Sequence, residues 1–175
     1  MKVSLREILL TLFIIVLIFV TLRVTVHSYK VYGKSMDPSF HNGQYLLVNK
    51  ASYHLHSPRR GDVIVFQYPL NPSELYIKRI IGLPGEKVEI RNNQVYIDDE
   101  LLDEPEYIVS IRNLGSPMIT VPPDEYFVLG DNRDHSADSR KGWTVPRDNI
   151  IGKTWLSYWP VGDWGMSPTY AWSLT

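Results

Sequence analysis

The chain has 175 residues, with 18 Lys+Arg against 19 Asp+Glu and a formal net charge of −1. That balance lacks the basic excess that drives nucleic-acid binding by counterion release, so nucleic acid is not an expected partner. Cysteine is absent, which excludes disulfide frameworks, thiolate nucleophiles and Cys-based zinc sites.

The first element is apolar. Ile8 to Leu22 is broken only by Thr11 and Thr21, and the run reaches Val26 if Arg23 is included. A membrane-spanning helix needs about 20 such residues, and Arg23 can reach the headgroups on its long stem. A cleaved secretory leader also has a charged start and an apolar stretch. The exit Leu22-Arg23-Val24-Thr25-Val26-His27 carries no Ala-x-Ala pattern, so the segment reads as an uncleaved anchor. Lys2 and Arg6 precede the run, opposed by Glu7, while Arg23 and Lys30 follow it. The positive-inside rule then puts the amino terminus in the cytoplasm. Residues 1–27 are expected to be a cytoplasmic stub and anchor at the cell membrane, and 28–175 an extracytoplasmic domain.

That domain reads as mainly β. Apolar residues make up 44% of the chain, too many for disorder, and 12 prolines and 11 glycines favour short strands over a helical bundle. Strands are expected at 45–48, 62–66 and 76–81. Alternation at Val88, Ile90, Val95 and Ile97 around Asn92-Asn93 predicts a hairpin with Asn in left-handed positions. Two more strands follow at 124–130 and 150–158. Residues 98–118 show the least pattern and are expected to be a loop or small excursion. After residue 30 there is no convincing helical stripe and no repeat.

Catalytic groupings are few. His54 and His56 are two apart, on one face if the segment is a strand, but no third ligand is evident and there is no HExxH; no metal and no cofactor are implied. A Gly-x-Ser-x-Gly elbow is missing. Three segments draw interest. In Gly33-Lys34-Ser35-Met36-Asp37-Pro38, a serine stands between a glycine and a proline-fixed turn, which either exposes its hydroxyl or makes a plain turn. In Tyr76-Ile77-Lys78-Arg79-Ile80-Ile81, alternation sends Lys78 and Arg79 to opposite faces, so one cation must point toward an apolar side. At the ordinary pKa of about 10.4 only about one lysine in a thousand is neutral near pH 7.4. Burial without a carboxylate lowers that value by up to roughly 3–5 units and makes the free amine abundant; an edge-strand lysine in solvent would stay charged. Such an amine activates a serine without histidine. The third segment, residues 130–140, is a dense polar loop, either rigidified by Asx turns and an Asp138–Arg140 pair or simply solvated; it lacks the twelfth-position Glu of a calcium loop.

Together these segments resemble the type I signal peptidase family. Ser35-Met36-x-Pro38 is similar to its nucleophile box, Arg60 to Phe66 to its next strand, Tyr76 to Glu86 to its lysine box, and Gly130-Asp131-Asn132-Arg133 with Ser136-x-Asp138-Ser139-Arg140 to its final box. Order and spacing match across residues 33–140, with the anchor in front. The resemblance implies a compact, mostly antiparallel β-sheet peptidase domain, a Ser35 nucleophile and a Lys78 general base. It implies that Ser136 hydrogen-bonds and orients the lysine amine, that Asp138 and Arg140 pair beneath the site, and that Asp131 supports the same loop. His135 has no role in it. Where some members carry a serine hydroxyl for the oxyanion hole, this chain has Gly33, the form of Gram-positive members. The Ser35 N–H is then one donor, and the second is open.

The implied substrates are secretory preproteins, cut after small residues at −1 and −3. Val31, Met36, Phe40, Tyr76 and Ile77 are candidates to line the two apolar pockets, with core packing as the alternative for each. An extended substrate would join a sheet edge. Trp155, Trp159, Trp164 and Trp172 are candidates for contact with membrane lipid, with Trp155 and Trp159 alternatively in the core. Two other readings compete. A LexA-type self-cleaving protease would share the dyad but not the anchor, and would carry an amino-terminal helix-turn-helix. A membrane-anchored, non-catalytic β domain would lose nothing on substitution of Ser35 or Lys78.

Overall fold

A computed structural model describes residues 4–105, 108, 115–168 and 172–174. Helix α1 (Leu5–Thr25) opens with a capping box, in which Ser4 accepts from the Glu7 backbone and Glu7 returns a bond to the Ser4 N–H. This satisfies two end donors that a lipid environment would leave bare. No α1 residue is buried against the rest of the chain, and the helix is long and apolar enough to cross a membrane.

The chain passes straight from α1 into β1 (Val26–Lys30), then β2 (Tyr45–Asn49), a short α2 (Ser52–Leu55), β3 (Val63–Tyr68) and the long β4 (Asn71–Gly82). A smaller hairpin region follows: β5 (Lys87–Arg91), β6 (Gln94–Ile97), β7 (Glu100–Asp103) and β8 (Ser116–Thr120). The chain then returns through β9 (Glu125–Leu129), β10 (Val145–Pro146), β11 (Ile150–Trp159), β12 (Gly165–Met166) and β13 (Ser173–Leu174).

Two sheets result, one in the order β1-β2-β11-β3-β4-β9-β10 with β12 on β11, the other β13-β7-β6-β5-β8. Every described pairing is antiparallel. The β5–β6 turn holds Asn92 and Asn93 at φ 51° and 66°, the left-handed pair that a two-residue hairpin turn demands.

Three apolar clusters fill the interior. Ile64, Phe66, Ile80 and Val128 pack on one face of the first sheet. Val31, Met36, Phe40, Leu46 and Val63 pack on another side, beneath the nucleophile segment. Ile81, Val88, Ile97 and Phe127 join the two sheets.

Several expectations need correction. Residues 98–118 are not merely a loop, since they hold β7 and the start of β8, two strands of the second sheet; residues 106, 107 and 109–114 fall outside the described part. β1, β10, β12 and β13 had no signal in the alternation. His54 lies in α2 and His56 just after it, and both are exposed surface residues.

Candidate active site

Four pieces of chain converge. The turn after β1 carries Ser35, β4 carries Lys78, and the loop after β9 carries residues 130–140. The fourth, β3, pairs with β4 in the register Ile64↔Lys78 and Val65↔Ile77 and supports the lysine from one side.

Gly33 begins the turn that carries Ser35 at φ +83°, a conformation that suits glycine because it has no Cβ. Its N–H donates to Asn42 Oδ1 at 2.9 Å. The Ser35 carbonyl accepts from the Asn132 N–H at 3.1 Å, which ties the nucleophile turn to the polar loop. That approach is close: a Cβ on Gly130 would stand 2.3 Å from Ser136 Oγ and 2.5 Å from the Ser35 carbonyl oxygen. Gly130 is therefore required by contact, not by turn geometry. No acceptor among the described residues takes the Ser35 N–H.

Lys78 is 4% exposed. Its Nζ lies 2.8 Å from Ser35 Oγ and donates to the Ile77 carbonyl at 2.8 Å. Among the described residues no carboxylate forms an ion pair with it. Burial pushes the ammonium down from 10.5 to about 8, while the carboxylates of Asp138 and Asp131 pull it the other way. With that pKa of about 8, about a fifth of the amine is neutral at pH 7.4.

The neighbouring cation has the opposite fate. Arg79 is fully buried and meets Asp131 in a two-pronged pair, Nε–Oδ1 2.8 Å and Nη2–Oδ2 2.6 Å. It also donates to the Gly61 carbonyl at 2.9 Å. The expectation that one of the two cations is buried is thus corrected: both are, and they differ in partner.

The polar loop is rigid from within. Arg140 grips Asp138 by Nε–Oδ1 at 2.7 Å and Nη2–Oδ2 at 2.8 Å, and reaches the Arg133 carbonyl at 2.7 Å. Asp138 Oδ2 also takes the Gly130 N–H, and Ser139 Oγ takes the Val128 N–H at 3.0 Å. Arg133 is held by Glu104. His135 is exposed, and among the described residues its side chain hydrogen-bonds Asn132.

Ser136 departs from expectation. Its Oγ is buried beside Gly130 and has no hydrogen-bond partner among the described residues, so the bond to the lysine amine is not made in this arrangement. A buried hydroxyl left without a partner costs free energy.

A cleft of about 310 Å³ opens over Ser35 and Lys78. Of the proposed pocket residues, Val31, Tyr76 and Ile77 line it. Met36 and Phe40 do not; they are 1% and 2% exposed and belong to the cluster beneath the turn. Leu46, Val65, Leu75 and Ala137 also line the cleft and were missed. Register would have found two of them, because Val65 faces Ile77 across β3–β4 and Leu46 faces Tyr29 across β1–β2, and cross-strand partners share a face. β9 pairs with β4 only from Arg79 onward. Among the described residues, the β4 edge from Asn71 to Lys78 is therefore unpaired on that side. Trp155, Trp159 and Trp164 are exposed, whereas Trp172 packs against the cluster between the sheets.

A hydroxyl in contact with a buried, unmatched amine under an apolar cleft defines a serine-and-lysine arrangement on a β scaffold. Residues 5–159 match the family described as "Signal peptidase, peptidase S26", and the chain belongs to that family. A signal peptidase I of Leptolyngbya laminosa is 44% identical over 79% of this chain and 72% of its own. Signal peptidase I of Bacillus caldolyticus is 40% identical over 85% of this chain and 88% of its own. A solved signal peptidase I of Enterococcus faecalis V583 is 37% identical, covering 56% of this chain and 97% of that one at a TM-score of 0.49.

Proposed function

We propose that the chain is a membrane-anchored serine endopeptidase that removes signal peptides from secretory preproteins. Family membership and the names of the relatives support the reaction class. The observation that carries the assignment of residues is the 2.8 Å approach of a buried, carboxylate-free Lys78 Nζ to Ser35 Oγ.

In this reading residues 1–27 are the anchor with its amino terminus in the cytoplasm, and 28–175 act on the other face. A preprotein lies extended along the free β4 edge, with small side chains in the cleft between Val31, Ile77 and Ala137. The neutral Lys78 amine accepts the Ser35 proton while Oγ attacks the scissile carbonyl. The developing oxyanion faces the free Ser35 N–H. The ammonium then gives its proton to the leaving amine, and the mature amino terminus departs. Lys78, neutral again, takes a proton from water as the water attacks the acyl ester, which frees the signal peptide and restores Ser35. Asp138, Arg140 and Asp131 hold the loop that bears Ser136 against this pair. Rotation of the orphaned Ser136 hydroxyl toward the amine would supply the orienting bond absent from the resting arrangement.

The test is cleavage of a preprotein by the full chain in detergent. Lys78→Ala and Ser35→Ala are expected to abolish product with the fold intact by circular dichroism. Retained cleavage in either variant would overturn the assignment.

A further inference from the structure

A second polar cavity lies outside the catalytic cleft, beside α2. It measures about 230 Å³ and is lined by Ser52, Ser57, His56, Arg59, Asp62 and Lys153, together with the Tyr53 ring. Its single carboxylate is already occupied. Asp62 Oδ1 accepts from Lys153 Nζ at 2.6 Å, and Oδ2 accepts from the Tyr53 hydroxyl at 3.0 Å and the Arg59 N–H at 3.1 Å. The Arg59 guanidinium is exposed and has no hydrogen bond or ion pair among the described residues; the half-buried Lys50, in a separate hollow across α2 that also holds Arg147 and Asp148, has no side-chain hydrogen bond or ion pair among them either. One unpartnered cation, Arg59, therefore lines a concave site rich in hydroxyls, and a second, Lys50, stands across α2 from it, in a chain whose overall charge is −1.

The position of this site is fixed by the helix. The Lys50 N–H donates to the Thr25 carbonyl, at the last residue of α1, at 2.8 Å. Val26 pairs with Asn49, and Asn49 with Lys153. Neighbouring strands are about 4.8 Å apart, so Lys153 stands about 10 Å from the helix end. The headgroup layer is roughly 5–8 Å deep on each side of the hydrocarbon, and lysine and arginine stems reach several ångströms further. Groups bonded to the end of a spanning helix have little choice but to meet headgroups.

We propose that the α2 cavity is a headgroup site for an anionic phospholipid of the leaflet into which α1 emerges. The guanidinium of Arg59 matches a phosphodiester through two parallel N–H donors. Lys50 adds charge from across α2, while Lys153 is balanced by Asp62, and the hydroxyls of Ser52 and Ser57 suit a glycerol headgroup. A zwitterionic headgroup would bring its own ammonium against these cations, so the site discriminates by net charge. This rests on the anchoring role of α1 and on no catalytic residue. Its consequence is a fixed height and rotation of the catalytic domain above the bilayer.

The test uses the full chain in neutral detergent, with phosphatidylglycerol and phosphatidylcholine of equal acyl chains added and bound lipid counted by native mass spectrometry. Phosphatidylglycerol is expected to be retained in preference to phosphatidylcholine. The Lys50→Ala/Arg59→Ala double variant should lose about tenfold or more of that retention, with cleavage in detergent and thermal midpoint unchanged. Lys2→Ala/Arg6→Ala should leave it intact, since in sequence those cations stand at the amino-terminal side of the apolar run, away from Thr25. Equal retention of the two lipids, or wild-type retention in the double variant, would overturn the proposal. Displacement of phosphatidylglycerol by millimolar inorganic phosphate alone would overturn the lipid assignment in favour of a free anion site. Failure of the chain to float with vesicles of either lipid would overturn the anchoring reading, and the proposal with it, in a way the detergent count does not.

Discussion

Lys78 and Arg79 are neighbours on one strand, both buried, and they do different work. Arg79 meets a carboxylate with two matched hydrogen bonds, keeps its charge and locks β4 to the polar loop. Lys78 meets a hydroxyl and a carbonyl, so burial acts on it without a compensating carboxylate contact and its ammonium is destabilised. Burial by itself does not make a base; the identity of the partner decides. One residue along the strand separates a carboxylate-matched cation from an amine that burial drives toward its neutral form.

The largest effect should come from the reactive side. Lys78→Arg restores a permanent charge at that position, and its kcat is expected to fall about 10⁴-fold, as when a member of a catalytic dyad is removed. Ser35→Ala should cost as much, and the double variant no more, because the two groups act as a unit.

On the structural side, Asp131→Ala removes the carboxylate that Arg79 grips with two hydrogen bonds inside the protein. A loss of about 3–5 kcal/mol in unfolding free energy is expected in denaturant titration. A loss below 1 kcal/mol would mean that Arg79 finds another acceptor and that the contrast between the two cations is weaker than drawn here.

Lys78→Met sharpens the same contrast by raising stability. The folded pKa of Lys78, about 8, lies below its unfolded value of 10.5, so the unfolded chain binds more protons between these limits. Stability of the parent protein therefore rises as pH climbs from about 8 to 10.5. The cost of the buried ammonium is complete below that window and gone above it. Lys78→Met is expected to gain up to about 3 kcal/mol at pH 7 and nothing from this source above pH 11. The smallest effect concerns selectivity. Ala137→Leu fills part of the cleft and should raise KM about tenfold for a preprotein with alanine at −1, with kcat little changed.

How legible this was from sequence differs by level. The strands with clean alternation, at Val88–Ile90 and Val95–Ile97, and the apolar runs of β3, β4 and β9 stood out because each buries one face or both. β1 was hidden: it continues directly from an apolar helix, and its sequence, Val26-His27-Ser28-Tyr29-Lys30, is polar on both faces. β7 and β8 are short, and β8 carries Pro117 and an exposed Met118, so neither shows a period. In the site, side-chain chemistry singled out Ser35, Lys78 and the 130–140 loop but left a turn serine, a solvated lysine and a solvated loop open, and the roles came from the resemblance to the signal peptidase family. The Arg79–Asp131 pair could not, since it depends on the β4–β9 register that sets Arg79 opposite Leu129. Met36 adjoins Ser35 in sequence but turns into the core, and sequence neighbourhood does not separate the rim of a pocket from its floor.

The most direct test of the central claim is the pH dependence of kcat/KM for preprotein cleavage by the full chain in detergent. If a buried, unmatched amine is the base, activity rises tenfold per pH unit on the acid side and levels off through a single ionisation near 8 that disappears with Lys78. A limb near 10.5, the ordinary lysine value, or activity independent of pH from 6 to 10 would contradict it.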